Sequence, residues 1–443
     1  MINRQNIISL AIGFTIIIGF GYFSLFFSSF LSVFILIAYI GYHRFNINEE
    51  FRFLSQTALK AVFIASIIAF AVFSYKSYGP RDWDFTCFFL YGNVASKGMN
   101  FYNPNDYYSI LRTIQIPIEI NAGFFREVID VGCPYPPPTL FLFSILGFFS
   151  YNNALIVWTI INSLFLLGSI VLIRDIFFKK DGYESIMIST ILVLTFHSSL
   201  TTVFYTQILF ILLFFLLLFY KYKSAPWSGV FLAIAIFLKP FAIVLFLYLI
   251  IKRNNKAITY FIISCLAICL ITILNYGFQP FIEYIFHNPN QRAPESLFTE
   301  SNNQSLLGEL YRGLPDNISL AKSIYYVVSI AVVAISGLLV YRKRLNVELH
   351  DINFVVLLSV MLLIYPSGQY NYPIVHLISI FILLNYVQKL DNSAFLIFLF
   401  YLVSYAGLFY LNIFLLIVSV VLLYRNRMDF IFSSIRYSIK NGT

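Results

Sequence analysis

The chain has 443 residues, 60% of them apolar and 11% charged, and its mean hydropathy is +0.81. A soluble domain carries about 25% charged and about 45–50% apolar residues, which excludes a water-soluble enzyme around one core, a disordered chain and a fibrous one. The net charge of +9, from 29 Lys and Arg against 20 Asp and Glu, reads as the basic marking of cytoplasmic loops and not as a nucleic-acid surface.

The apolar residues fall in runs of about 15–22, the length that crosses a hydrocarbon core of about 30 Å as a helix. They do not alternate in polarity as the strands of a membrane barrel do; residues 208–220, ILFILLFFLLLFY, are an example. The fold class expected is all-α, a polytopic transmembrane bundle of roughly 11–14 spans forming one domain over residues 1–443.

In chain order, residues 7–23 and 27–42 form a hairpin between Arg4 and His43-Arg44. The stretch from Ile7 to Ile40 is too long for the apolar region of a cleavable signal peptide. A span over 57–73 leads into a polar loop, 75–138, which holds six acidic residues and no basic cluster, as an external loop would. Residues 140–150 follow Pro136-Pro137-Pro138 and are too short to cross, so they read as a re-entrant or interfacial helix. Spans over 154–173, 185–200 and 207–220 come next, then a tight pair over 228–238 and 241–251 that returns to Lys252-Arg253. A span over 257–274 reaches a second external loop, 275–321, and 323–340 returns to Arg342-Lys343-Arg344. Four further segments end at Arg425 and Arg427, which open a cytoplasmic tail over 425–443. Every basic cluster then lies on one face.

No internal repeat stands out, and there is no Walker A motif, no H-E-x-x-H and no Cys/His cluster of metal-ligand spacing, so neither a metal nor a cofactor is expected. Cys265 and Cys269 sit inside an apolar run as small hydrophobes. Cys87 and Cys133 share the first external loop, and a disulfide between them is left open by spacing alone.

Candidate chemistry gathers in the external loops. The first opens with Asp82-Trp83-Asp84-Phe85, and a carboxylate at the membrane face suits a general base that takes a proton from an acceptor hydroxyl. On an extended stretch Asp82 and Asp84 share a face; on a helix they point apart. Tyr102, Tyr107, Tyr108 and Tyr135 lie beside Asn and Pro, a composition compatible with stacking sugar rings and binding their hydroxyls. Lys239 stands at the outer turn of the 228–251 pair, where an intramembrane cation, costing about 2.5–3.5 kcal/mol on insertion scales, faces a cavity or a partner. Two readings stay open there: a grip on a lipid-linked phosphate, or snorkelling to the headgroups.

The order of these motifs resembles the lipid-dependent glycosyltransferases of the GT-C superfamily. It is most similar to the bacterial α-mannosyltransferases that use polyprenyl-phosphate mannose, including the phosphatidylinositol-mannoside enzymes. Asp84-Phe85, Gly98 to Tyr102 and Tyr135-Pro136-Pro137 match that family's early motifs. Gln207 matches its Gln at the outer start of a helix, Gly229 to Lys239-Pro240 its small-residue helix, and Asn303-Gln304-Ser305 with Arg312 its second-loop motif. The later loop departs from the pattern: it reads Tyr365-Pro366-Ser367-Gly368-Gln369-Tyr370-Asn371-Tyr372, and His376 is set back inside the next helix as a core or cavity histidine.

The resemblance implies a hexosyltransferase of the bacterial inner membrane with its site facing the periplasm. Its donor would be a polyprenyl-phosphate sugar, with mannose the expected hexose, and its acceptor a lipid or glycan hydroxyl. Asp84 would be the catalytic base of an inverting transfer. Asp82, Tyr102, Tyr135, Gln207, Lys239, Asn303, Gln304, Ser305, Arg312, Tyr370 and His376 would line the substrates. An O-antigen polymerase or ligase and a transporter of lipid-linked sugars are the alternatives; the first would rely on external arginines, the second on polar groups spread along several spans. The topology is testable: reporters fused after Lys180, Arg253 or Arg344 should read cytoplasmic, and one placed within residues 288–309 external. An external signal after Arg253 would overturn the hairpin placement.

Overall fold

A computed structural model of the chain describes residues 49–77, 83–100, 102–114, 133–178, 182–286, 303–343, 349–387 and 406–441, with a few isolated positions besides. The predicted hairpin over 7–42 and Asp82 lie outside the described residues. Within them the chain is helical, and no strand occurs.

Among the described residues four helices are long and apolar enough to cross a membrane: α1 (Glu49–Ser77), α5 (Tyr151–Phe177), α11 (Asn255–Tyr276) and α14 (Ile318–Lys343). A fifth crossing arises if α6 (Tyr183–Thr195) and α7 (His197–Phe204), bent by 59°, count as one broken span. The other predicted spans among the described residues are shorter apolar helices. These include α8 (Leu209–Lys221), α9 (Trp227–Leu238), α15 (His350–Leu363) and α16 (Leu377–Val387). At about 1.5 Å per residue each falls short of the bilayer by itself. The 228–251 pair forms as expected: α9 stops at Lys239 because Pro240 cannot continue a helix, a 3-10 segment runs over Pro240–Leu245, and α10 (Phe246–Ile251) completes the return.

Residues 75–138 differ most from their reading as a polar connection. Their opening is a helix, α2 (Trp83–Ser96), buried continuously from Phe85 to Ala95. A helix apolar on all sides is covered on all sides. One cover is α4 (Pro137–Ser144), whose first turn is built on prolines; they start the helix, since position N1 has no amide partner to lose. Phe88 stacks on Phe143 with centroids 4.6 Å apart, and Trp158 of α5 meets both rings at 5.7–5.8 Å. The contact is close because position 92 has no side chain: a Cβ on Gly92 would lie 2.1 Å from the Phe143 carbonyl oxygen. The short helix α3 (Pro104–Leu111), capped by Asn103, follows α2.

Three ties assemble the frame. Asn100 Nδ2 donates to both Glu283 oxygens at 2.9 Å, joining the first loop to α12 (Gln279–Phe286) at the start of the second. At the other end the basic marker Lys223 bonds Asp351 of α15 and lies 4.0 Å above the Tyr220 ring. The amide of Gln304 donates to the Gly368 carbonyl at 2.6 Å, and Leu408, which opens α17 (Leu408–Asn441), donates its amide to Gln304 Oε1 at 2.9 Å. Cys87 and Cys133 are buried free thiols.

Because α2 seats on α4 through Gly92, Gly92→Ala should destabilise the protein by about 1–3 kcal/mol through overpacking, lowering the thermal midpoint by several degrees. An unchanged midpoint in detergent would show that α2 does not pack here.

Candidate active site

Asp84 lies in the first turn of α2, where the helix dipole favours an anion. Gln207 Nε2 donates to its Oδ2 at 2.5 Å. Burial pushes the Asp84 carboxyl up from 3.8 to about 6, while the Gln207 bond and the positive charge of Lys239 pull it down. The carboxylate is thus half-way to neutral in mildly acidic conditions and ionised at pH 7.

Gln207 reaches Asp84 through an unusual turn. At the end of α7 the Gln207 amide donates to the Thr202 carbonyl at 2.9 Å and the Thr206 amide to that of Val203 at 3.0 Å. This is the bond pattern of a Schellman cap, with Thr206 at the left-handed position that glycine ordinarily takes. Thr206 adopts φ +51°, a strained conformation for a β-branched residue that costs of order 1–3 kcal/mol. Trp158 braces it: its indole Nε1 donates to the Thr206 carbonyl at 2.8 Å, and the ring is fully buried.

Lys239 is 7% exposed, so it does not snorkel. Its Nζ donates to the hydroxyls of Tyr135 at 3.1 Å and Tyr372 at 3.0 Å, and lies 4.5 and 5.2 Å from their ring centroids. Tyr102 fixes the Tyr135 segment by donating its hydroxyl to the Tyr135 carbonyl at 2.7 Å, and Thr139 ties α4 to the end of α9 through the Phe237 carbonyl. Asp84, Tyr135, Gln207 and Lys239, drawn from four parts of the sequence, therefore form one cluster, and Tyr372 joins it.

The second-loop motif is built differently. Ser305 caps α13 (Leu306–Gly313) and donates its hydroxyl to the Pro366 carbonyl at 2.8 Å, which Asn303 Nδ2 also reaches at 3.1 Å. Arg312 donates to the Asn303 carbonyl at 2.9 Å and to Glu309 at 2.8 Å. These side chains bind backbone of the 366–368 loop and of their own segment. Tyr370 receives the Thr201 hydroxyl on its carbonyl and meets the His197 ring edge-on. His376 is fully buried, 3.1 Å from Ser379 and 2.6 Å from Asn412. Among the described residues no three His, Cys, Asp or Glu side chains converge as a metal site.

The sequence reading missed Trp158 and Tyr372. Trp158 sits in an ordinary apolar span with nothing to set it apart. Tyr372 lies in the very loop that departs from the family pattern.

Long apolar helices around a buried carboxylate, a lysine and an amide define a multi-pass helical membrane protein with one polar site between its helices. Residues 134–366, just over half of the chain, match the model of Glycosyltransferase family 87. The chain belongs to that family, a membrane glycosyltransferase family of the GT-C type. Neither a curated protein nor a solved structure gives a match. The matched stretch contains Tyr135, Gln207, Lys239 and the 303–312 motif; Asp84 precedes it, and Tyr370 and His376 follow it.

The brace on Thr206 is open to test. Trp158→Phe keeps the ring but leaves the Thr206 carbonyl unpaired, at a cost of about 1–3 kcal/mol. It should lower the thermal midpoint and slow sugar transfer together; full activity would show that the turn holds Gln207 without the indole.

Proposed function

We propose that the protein transfers a hexose, mannose by resemblance, from a polyprenyl-phosphate donor to a hydroxyl of a lipid or glycan at the outer face of a bacterial inner membrane. The observation that carries this reading is the pairing of a partly buried carboxylate held by Gln207 with a buried lysine whose charge it feels. In the transfer Asp84 takes the proton of the acceptor hydroxyl, the oxygen forms its bond to the anomeric carbon, and the bond from that carbon to the phosphate oxygen breaks. The phosphate leaves with the electron pair. Lys239 and the hydroxyls of Tyr135 and Tyr372 stabilise the charge that develops on it.

A phosphate leaving group needs no acid, so one carboxylate suffices. A double displacement would want a second, closely placed carboxylate; the family resemblance favours the single-base route. Arg312, engaged with Asn303 and Glu309, is assigned to holding the 303–305 segment against the 366–368 loop and not to the phosphate. His376 is assigned to the core. Asp82 is not assigned to the proton transfer. Family membership favours transfer over polymerase, ligase or transporter readings.

Asp84→Asn retains size but cannot accept a proton, and should lower the rate by about 10²–10⁴-fold. Asp82→Asn should stay within about 0.5 kcal/mol of the parent. In the unaltered enzyme kcat/KM should fall about tenfold per pH unit below pH 6, where Asp84 becomes protonated. An acid limb near pH 4, or an active Asp84→Asn beside a dead Asp82→Asn, would contradict the assignment.

Lys239→Met removes the charge and keeps the length. Release of polyprenyl phosphate from a polyprenyl-phosphate sugar should fall at least about tenfold, equivalent to about 1.4 kcal/mol, with protein level retained. Unchanged release would remove Lys239 from the phosphate site.

A further inference from the structure

A cleft, partly open to the surroundings, lies between α1 and α5 and is floored by residues 202–210. Phe70, Leu155, Leu166 and Phe210 form much of its wall, and Asn162 and Gln207 face it with them. Lys239 and its tyrosines are not among the lining residues; Gln207, bonded to Asp84, is.

Two amides of this wall are half satisfied. Gln207 spends its Nε2 on Asp84, and Asn162 donates its Nδ2 to the Trp158 carbonyl at 3.1 Å. Gln207 Oε1 and Asn162 Oδ1 are buried with no partner, on residues only 5% and 8% exposed. The amide orientations follow from chemistry, since only the NH₂ end can face a carboxylate or a backbone carbonyl. Both free atoms therefore accept and cannot donate. A buried acceptor without a donor is unfavourable, and what would satisfy these two is an O–H or N–H group brought by a ligand.

The occupant is constrained from both sides. Among the described residues no Lys, Arg or His lines the cleft, so a phosphate would find no counter-charge among them and would meet the Asp84 carboxylate close by. A neutral polyol fits, because its hydroxyls donate to amide oxygens. The flanking helices are both long and apolar enough to cross a membrane, and each carries exposed apolar side chains: Ile64, Ile67 and Ile68 on α1, Ile156, Ile160 and Leu164 on α5. A ligand entering between them comes from the lipid phase.

We infer that this cleft takes the hydroxyl-bearing head group of a lipid acceptor, a neutral glycolipid, with Asn162 and Gln207 accepting from its hydroxyls beside Asp84. The donor phosphate is then held separately, at Lys239. The inference rests on the reading of Asp84 as the base that deprotonates the acceptor.

The test uses purified full-length protein and a dodecyl mannoside carrying a diazirine on its head group. Photolabel should map to residues 155–166 and 202–210, and unlabelled dodecyl mannoside should compete it away while dodecylphosphocholine does not. Asn162→Leu should reduce labelling at least about fivefold, the loss expected for one buried hydrogen bond. Ser163→Trp, at an exposed position on the rim, should block it by filling the mouth, and carries the test if Asn162→Leu fails to accumulate. Label elsewhere, label indifferent to these substitutions, or equal competition by dodecylphosphocholine would overturn the inference. So would a cross-link from a benzophenone at position 163 to the chain's own residues 1–48. Labelling needs no turnover, and the base role is scored by the rate of Asp84→Asn, so the two readings fail separately.

Discussion

Burying a carboxylate beside a lysine inside an apolar bundle is the constraint on which the rest of the site depends. Neither ion is tolerated there without partners, and each partner must itself be held. Asp84 is met by Gln207, Gln207 is delivered by a strained turn, and the turn is braced by the indole of Trp158. Lys239 is met by two tyrosines, one of them fixed in turn by Tyr102. The two ions influence each other's charge without forming an ion pair among the described contacts. In the proposed transfer the reacting centre would lie between them, with Asp84 as proton acceptor and Lys239 as the cation for the leaving group.

The 303–312 segment packs against this arrangement. Asn303, Gln304 and Ser305 join the start of α13 to the 366–368 loop, and Gln304 also receives the first amide of α17. The 366–368 loop runs on to Tyr372, the partner of Lys239. Asn303, Gln304 and Ser305 are thereby tied to the loop that carries the tyrosine next to the lysine.

Much of the bundle was legible because apolar run length and the sidedness of basic residues are both direct consequences of the bilayer. The 228–251 pair and its turn at Lys239 emerged within a residue or two. The character of the first external loop did not. Asp82, Asp84, Asn100 and seven prolines made it look polar, while the apolar run in WDFTCFFLYGNVAS was already in view and is what buries α2. The gathering of Asp84, Tyr135, Gln207 and Lys239 followed from motif order. Trp158, Thr206 and Asn162 were beyond reach, because a brace, a left-handed turn and a half-satisfied amide are properties of tertiary geometry and leave no period or spacing in the sequence.

The claim at the centre of this account is that one carboxylate, Asp84, drives a direct displacement at the anomeric carbon. The anomeric configuration of the product measures this most directly. Purified enzyme, a polyprenyl-phosphate sugar of defined anomer and a glycolipid acceptor would be incubated briefly, and the new linkage assigned by its one-bond carbon–proton coupling in NMR. The account predicts a product of configuration opposite to that of the donor. Retention would contradict it.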